Sequence, residues 1–207
     1  MLRIIFVRHG RTSWNVEGRV QGGGALDDVG RSQAEALALR LRDEPLAAVY
    51  ASPALRARQT AGAVARYHGL PVMRRSLLRD MDYGKYAGLL VSDVRREDPE
   101  LFRKWREAPD SVHFEGGDRL ADLRSRVQRF IKTIVRQHPD GAVLAATHDS
   151  PVRIAASIAM GIDDSRHNDP DLITPLASVT ILGFNGESME LLTHKDISHL
   201  KGVSDGA

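Results

Sequence analysis

Two histidines stand where phosphate chemistry could be built. Arg8-His9-Gly10 directly follows one short apolar run, and Thr147-His148-Asp149 directly follows another. A third apolar run leads into Ser52-Pro53-Ala54-Leu55-Arg56. If these runs are strands of one open α/β sheet, their carboxyl ends share a rim, and such sheets bind ligands there. Two Arg, two His and a helix N-terminus on one rim repel one another when empty, whereas a phosphate group neutralises them. Either histidine alone would read as an ordinary loop residue. Their pairing, with Arg directly before one of them, is what points to phosphate.

The elements that must position these residues follow from periodicity. Residues 2–7 (LRIIFV) form a continuous, β-branched apolar run, read as a strand buried on both faces. Residues 31–42 place Ala34, Leu37, Ala38 and Leu41 on one helical face. Residues 47–51 read as the next strand, and Ser52-Pro53 as the N-cap and first position of another helix. Val72 and Met73 form a short strand. Asp118 is expected to cap a helix whose Leu120, Leu123, Val127, Phe130, Ile131, Ile134 and Val135 recur every three or four residues. Residues 142–146 are a second buried strand, with a helix beginning at Ser150-Pro151. Residues 178–184 and 189–193, joined by Asn185-Gly186-Glu187-Ser188, read as a hairpin at the sheet edge. This alternation predicts an α/β three-layer sandwich: a mostly parallel sheet with helices on both faces, in one domain over residues 1–207. Residues 89–117, charged and holding Trp105, read as a helical excursion able to cover the active edge of the sheet.

Composition narrows the function. In 207 residues, 42% are apolar and 27% charged, as in packed globular proteins. The absence of Cys excludes a disulfide scaffold, a thiol nucleophile and thiolate metal sites. A net charge of +2, with no basic cluster, gives no field for nucleic acid. The N-terminal apolar run is too short for a signal peptide, and no segment approaches the ~20 apolar residues that span a bilayer. A cytoplasmic protein is expected. No H-E-x-x-H or similar ligand spacing suggests a metal.

Taken together, these blocks carry a resemblance. Arg8-His9-Gly10-Arg11-Thr12-Ser13-Trp14-Asn15 resembles the R-H-G-x-T-x-W-N signature of the histidine phosphatase superfamily, in its phosphoglycerate-mutase-like branch 1. The similarity continues through residues 18–22, 30–34 and 52–61, and then through Leu78-Arg79-Asp80-Met81-Asp82-Tyr83-Gly84, Gly116-Gly117-Asp118 and Thr147-His148. It therefore covers nearly the whole chain in order. The resemblance implies a phosphoglycerate-mutase-like fold and makes His9 the nucleophile, forming a phosphohistidine. Arg8, Arg56 and His148 match the phosphate clamp, and Asn15, Gln21 and Gly22 match positions lining the phosphate or substrate pocket. Neither metal nor other cofactor is implied, because cationic side chains take the metal's place.

The chain departs from the pattern at the proton donor. The family's Glu is here Asp80, one methylene shorter, which must still come within hydrogen-bond reach of the leaving oxygen. Asp149 competes for the role, because the superfamily's other branch carries its acid in a His-Asp pair; otherwise Asp149 would border the phosphate. Asp82 matches a non-catalytic acidic position. Tyr86-Ala87-Gly88 replaces a tryptophan-Glu-Gly, removing one pocket carboxylate. His113 is expected to face the pocket, the remaining histidines to serve surface or capping roles, and Trp105 to pack or line a lid.

The resulting expectation is a metal-independent phosphomonoesterase acting on a small phosphorylated metabolite through phospho-His9. The alternatives are a cofactor-dependent phosphoglycerate mutase, disfavoured by the short interval between Gly84 and Gly116, and a non-catalytic phospho-ligand module, disfavoured by the intact Arg8, His9, Arg56 and His148. The expected partner is the small phosphorylated substrate, without nucleic acid or membrane; a homodimer is a candidate assembly.

Overall fold

The strand β1, Leu2–Arg8, lies at the middle of the sheet and carries His9 at its end. The computed structural model describes residues 1–21, 23–186 and 188–203. Among these the sheet has six strands, in the order β3-β2-β4-β1-β5-β6. The others are β2 (Leu46–Ala51), β3 (Val72–Arg74), β4 (Gly141–Thr147), β5 (Val179–Asn185) and β6 (Ser188–Asp196). β1 runs parallel to β4, and β2 is parallel to both β3 and β4. β5 and β6 are antiparallel and form the expected edge hairpin; Glu187, part of the expected turn, lies outside the described residues. The architecture is the expected α/β sandwich on a mixed sheet.

Alternation along β1 builds both faces. Leu2, Ile4 and Phe6 join one apolar cluster, and Ile5 and Val7 join the other. The first cluster is covered by α6 (Leu120–Gln137) and α7 (Asp149–Met160), the second by α2 (Asp28–Leu41) and α3 (Leu55–His68). Phe130 of α6 meets Phe6 and Tyr50 edge-on, with ring centroids 6.0 Å apart in both pairs. Each such fully buried side chain contributes roughly 1.5–3 kcal/mol. Burial of both faces explains why β1 and β4 read as unbroken apolar runs rather than alternating ones.

Two expected caps fall elsewhere. α3 begins at Leu55, with Ala54 at the cap and no side-chain capping bond, so neither Ser52 nor Pro53 starts the helix. Asp118 does not cap α6. Arg119 occupies the cap and its N–H donates to Asp122 at 2.9 Å, because the Asp118 carboxylate is taken by Arg126 and by the N–H of Asp82. A short helix α1, Ser13–Glu17, follows His9, and Asp27 caps α2 through the Gly30 N–H. The His9 loop runs against α2 so closely that a Cβ on Gly30 would lie 2.0 Å from the Arg11 carbonyl. The segment 89–117 is helical as expected, with α4 (Val91–Glu97) and α5 (Pro99–Glu107). Its Trp105 packs edge-on with Tyr83 and Phe114, at 5.9 and 5.1 Å. Among the described residues no helix is long and apolar enough to cross a membrane.

Candidate active site

His9 is held by the sheet and the loop that follows it. Its N–H bonds to the Thr147 carbonyl at 3.0 Å, which extends the β1–β4 ladder by one residue. The next residue, Gly10, donates its N–H to Thr60 Oγ1 at 3.1 Å, tying the turn to α3. His9 Nδ1 lies 2.7 Å from the Gly10 carbonyl oxygen, which can only accept, so Nδ1 carries the proton and Nε2 keeps its lone pair. Burial, with Arg56 and Arg8 adding to it, holds the imidazole pKa well below its usual value. The result is a neutral imidazole with a defined nucleophilic nitrogen.

Arg56, in the first turn of α3, joins the two histidines. Its Nε donates to His9 Nε2 and a terminal nitrogen donates to His148 Nδ1, each at 3.0 Å. With Nδ1 accepting, His148 bears its proton on Nε2 and donates it to Ser52 Oγ at 2.8 Å. Burial, followed by His9 and the two arginines, keeps His148 neutral as well. Ser52, at the carboxyl end of β2, therefore fixes a tautomer rather than a helix. Its position at the end of an apolar run was the available signal.

Asp80 reaches the same place from the loop after β3. Its Oδ2 lies 3.7 Å from His148 Nδ1 and 3.9 Å from Arg56. Burial raises its pKa from 3.8 to about 6, against the opposing pull of Arg56. The loop is pinned from three sides: Thr147 Oγ1 donates to the Leu78 carbonyl at 2.7 Å, and Arg126 donates to the Asp80 carbonyl at 2.9 Å. Asp118 accepts from the Asp82 N–H at 3.0 Å. Arg126, on α6, is a positioning residue that sequence reasoning missed, since nothing in a helical repeat marks which arginine turns inward.

Asp149 has the opposite environment. Its carboxylate accepts from Thr174 N–H and Oγ1 at 3.0 and 2.8 Å, pairs with Arg153 one helical turn on, and lies 3.9 Å from Arg8. Burial alone would raise its pKa, but Arg8, Arg153 and these hydrogen bonds outweigh it and bring the value down to about 2. Arg8 also donates to the Thr174 carbonyl. Asp149 is thus a permanent anion that anchors Arg8.

A cavity of about 190 Å³ opens beside Arg56, Asp80 and His148, lined by these and by Gln21, Ser52, Arg79, Asp82 and Arg126. Gln21 has a left-handed φ of 57°, unusual for a residue with a side chain. Gly22 lies outside the described residues. Asn15 is not among the lining residues; its Oδ1 accepts from the N–H and hydroxyl of Thr12 and holds the turn after His9. His113 is exposed, pairs through its backbone with Arg119, and does not line the cavity. His167, expected at the surface, is buried against Trp105.

Two histidines joined through one guanidinium, with a carboxyl beside them, form a site suited to phosphate. The chain belongs to the histidine phosphatase superfamily (branch 1), which it matches over residues 4–197. It is 35% identical to phosphoserine phosphatase 1 of Hydrogenobacter thermophilus over 168 residues, 80% of each chain. It is 30% identical to a metal-independent phosphoserine phosphatase of Arabidopsis thaliana, over 97% of this chain and 84% of that one. The solved structure of Bacillus stearothermophilus YhfR is similar over 97% of this chain and 100% of that one, with a TM-score of 0.92 at 29% identity.

Proposed function

We propose that the protein hydrolyses a small phosphorylated metabolite without a metal, through a phosphohistidine on His9. The observation that carries this reading is the Arg56 guanidinium bridging His9 Nε2 and His148 Nδ1. On binding, phosphate oxygens take the guanidinium hydrogen bonds and release the Nε2 lone pair. Nε2 attacks phosphorus, the P–O ester bond breaks, and Asp80 gives its proton to the leaving oxygen. Asp80, now a carboxylate, takes a proton from water as that water attacks phosphorus and the P–N bond breaks, returning His9 and releasing inorganic phosphate. Arg8, held by Asp149, and Arg56 stabilise charge on the non-bridging oxygens. A phosphate dianion beside His148 opposes the burial and the positive charges that keep it neutral, so His148 can take up a proton and donate to the same oxygens. The guanidinia supply the electrostatic stabilisation that a divalent cation supplies elsewhere.

Phosphate release from an alkyl phosphate in excess EDTA, with and without added 2,3-bisphosphoglycerate, tests this reading. Release unaffected by either supports it. Loss in EDTA restored by a divalent ion overturns the metal-free step, and strict dependence on the bisphosphate indicates a mutase.

A further inference from the structure

Asp149 is shared unevenly between two arginines. Arg153, one turn on in α7, donates to its Oδ2, whereas Arg8 Nη1 stays 3.9 Å from its Oδ1. That separation is an ion pair without a hydrogen bond. Oδ1 accepts instead from the N–H and hydroxyl of Thr174. Arg8 Nη1 donates to the Thr174 carbonyl, and Arg8 Nε is buried with no partner among the described residues. A carboxylate free to move about 1 Å would fork onto this guanidinium, the geometry such pairs prefer. Arg153 is itself held. Its Nη1 donates to Asn168 Oδ1 at 3.2 Å and to the His167 carbonyl at 3.4 Å. Asn168 Nδ2 donates in turn to the Trp105 carbonyl on α5. The Arg153 side chain is only 12% exposed, so loss of these partners would leave buried donors unpaired. One chain of contacts thus runs from α5 through Asn168, Arg153 and Asp149 to Arg8.

Resting on the phosphatase reading above, we propose that Arg153 is a positioning residue for the phosphate clamp. By occupying Asp149 Oδ2 it keeps that carboxylate from closing a bidentate pair with Arg8, and so leaves Arg8 donors free for phosphate oxygens. Asn168 secures Arg153 in this role. The competition is direct, because a guanidinium nitrogen turned to Asp149 is not available to phosphate. A closed pair would have to open each time phosphate bound, and that lowers affinity. The spacing of Asp149 and Arg153, four residues apart on one helix, lets them meet without ordering a distant segment. Arg8 is then oriented by the Asp149 charge and by Thr174 without being consumed by either.

The test is a double-mutant cycle on the full chain, read by the affinity for inorganic phosphate in an NMR titration, which also measures weak binding. Arg153→Met should weaken phosphate binding about tenfold, as for one charge-assisted hydrogen bond. In an Arg8→Met background the same substitution should change nothing, because its effect passes through Arg8. An equal loss in both backgrounds overturns the proposal, since a general loss of positive field or of packing would act without Arg8. Asn168→Ala leaves every charge in place and should weaken binding about threefold, again only when Arg8 is present; this arm stands even if Arg153→Met does not fold. Asp149→Asn should recover affinity in Arg153→Met by clearly more than it changes the wild type, and losses that simply add would contradict the competition for Arg8. In turnover, Arg153→Met should lower kcat/KM for ethyl and phenyl phosphate by the same factor, because Arg8 meets the oxygens common to both. A loss confined to the ethyl ester would instead place Arg153 with the proton donor and overturn the assignment. Absence of hydrolysis for both esters, with the phosphate-binding cycle intact, would overturn the phosphatase reading alone.

Discussion

Arg56 Nε donates to His9 Nε2 at 3.0 Å, so the nitrogen proposed to attack phosphorus is occupied in the resting site. The same guanidinium reaches His148 Nδ1, and only a planar fork spans both. In the proposed reaction one side chain is both the phosphate clamp and the guard of the nucleophile. Arg56→Lys keeps the charge and loses the fork, so kcat/KM should fall about 10² to 10³-fold, as for a lost transition-state donor. Steady-state kinetics measures this, and a fall below tenfold would show that charge alone suffices.

Asp80 and Asp149 should separate cleanly in kinetics. With its pKa near 6, Asp80 is protonated in a large share of molecules in mildly acidic solution and can act as an acid. Asp149, near 2, is ionised throughout the working range. Asp80→Asn should slow phosphoenzyme formation from an alkyl phosphate by about 10² to 10⁴-fold and from an aryl phosphate far less, because a good leaving group needs little proton. In the wild type, kcat/KM for the alkyl ester should decline as pH rises through about 6, and this limb should vanish in Asp80→Asn. A leaving-group-dependent loss in Asp149→Asn instead would move the acid to the His-Asp pair.

The same two substitutions should move stability in opposite directions. Asp80 is raised from 3.8 to about 6 in the fold, so its ionisation there costs at most about 3 kcal/mol above pH 6 and nothing below about pH 4. Asp80→Asn should therefore stabilise the protein at pH 7 and lose that gain on acidification. Asp149 is held near 2, so it contributes about 2 kcal/mol above pH 4, lost as pH falls toward 2. Asp149→Asn should destabilise at pH 7. Urea unfolding of both variants at pH 7 and pH 4 measures the signs; equal signs would contradict the assigned environments.

The strands and both histidines could be read from sequence because β1 and β4 are buried on two faces, which leaves unbroken apolar runs ending at His9 and His148. Asp80 was legible only as a position in a motif, since its raised pKa depends on burial by segments distant in the chain. The division of labour between Asp80 and Asp149 was not legible: Thr174 and Arg153, which hold Asp149 ionised, are not marked by any local pattern. Ser52 was misplaced because a Ser-Pro pair ordinarily signals a helix start, whereas here α3 begins two residues after Pro53 and the hydroxyl serves His148. Asn15 shows the reverse, a motif residue whose amide is used by the turn itself.

In the proposed reaction His9 Nε2 becomes covalently phosphorylated. Rapid-quench labelling with a phosphorus-labelled alkyl phosphate, followed by peptide mapping, tests it most directly. An acid-labile, base-stable label is expected on His9, forming at least as fast as turnover and absent, with turnover, in His9→Ala. Turnover retained in His9→Ala, or label on another residue, would contradict it.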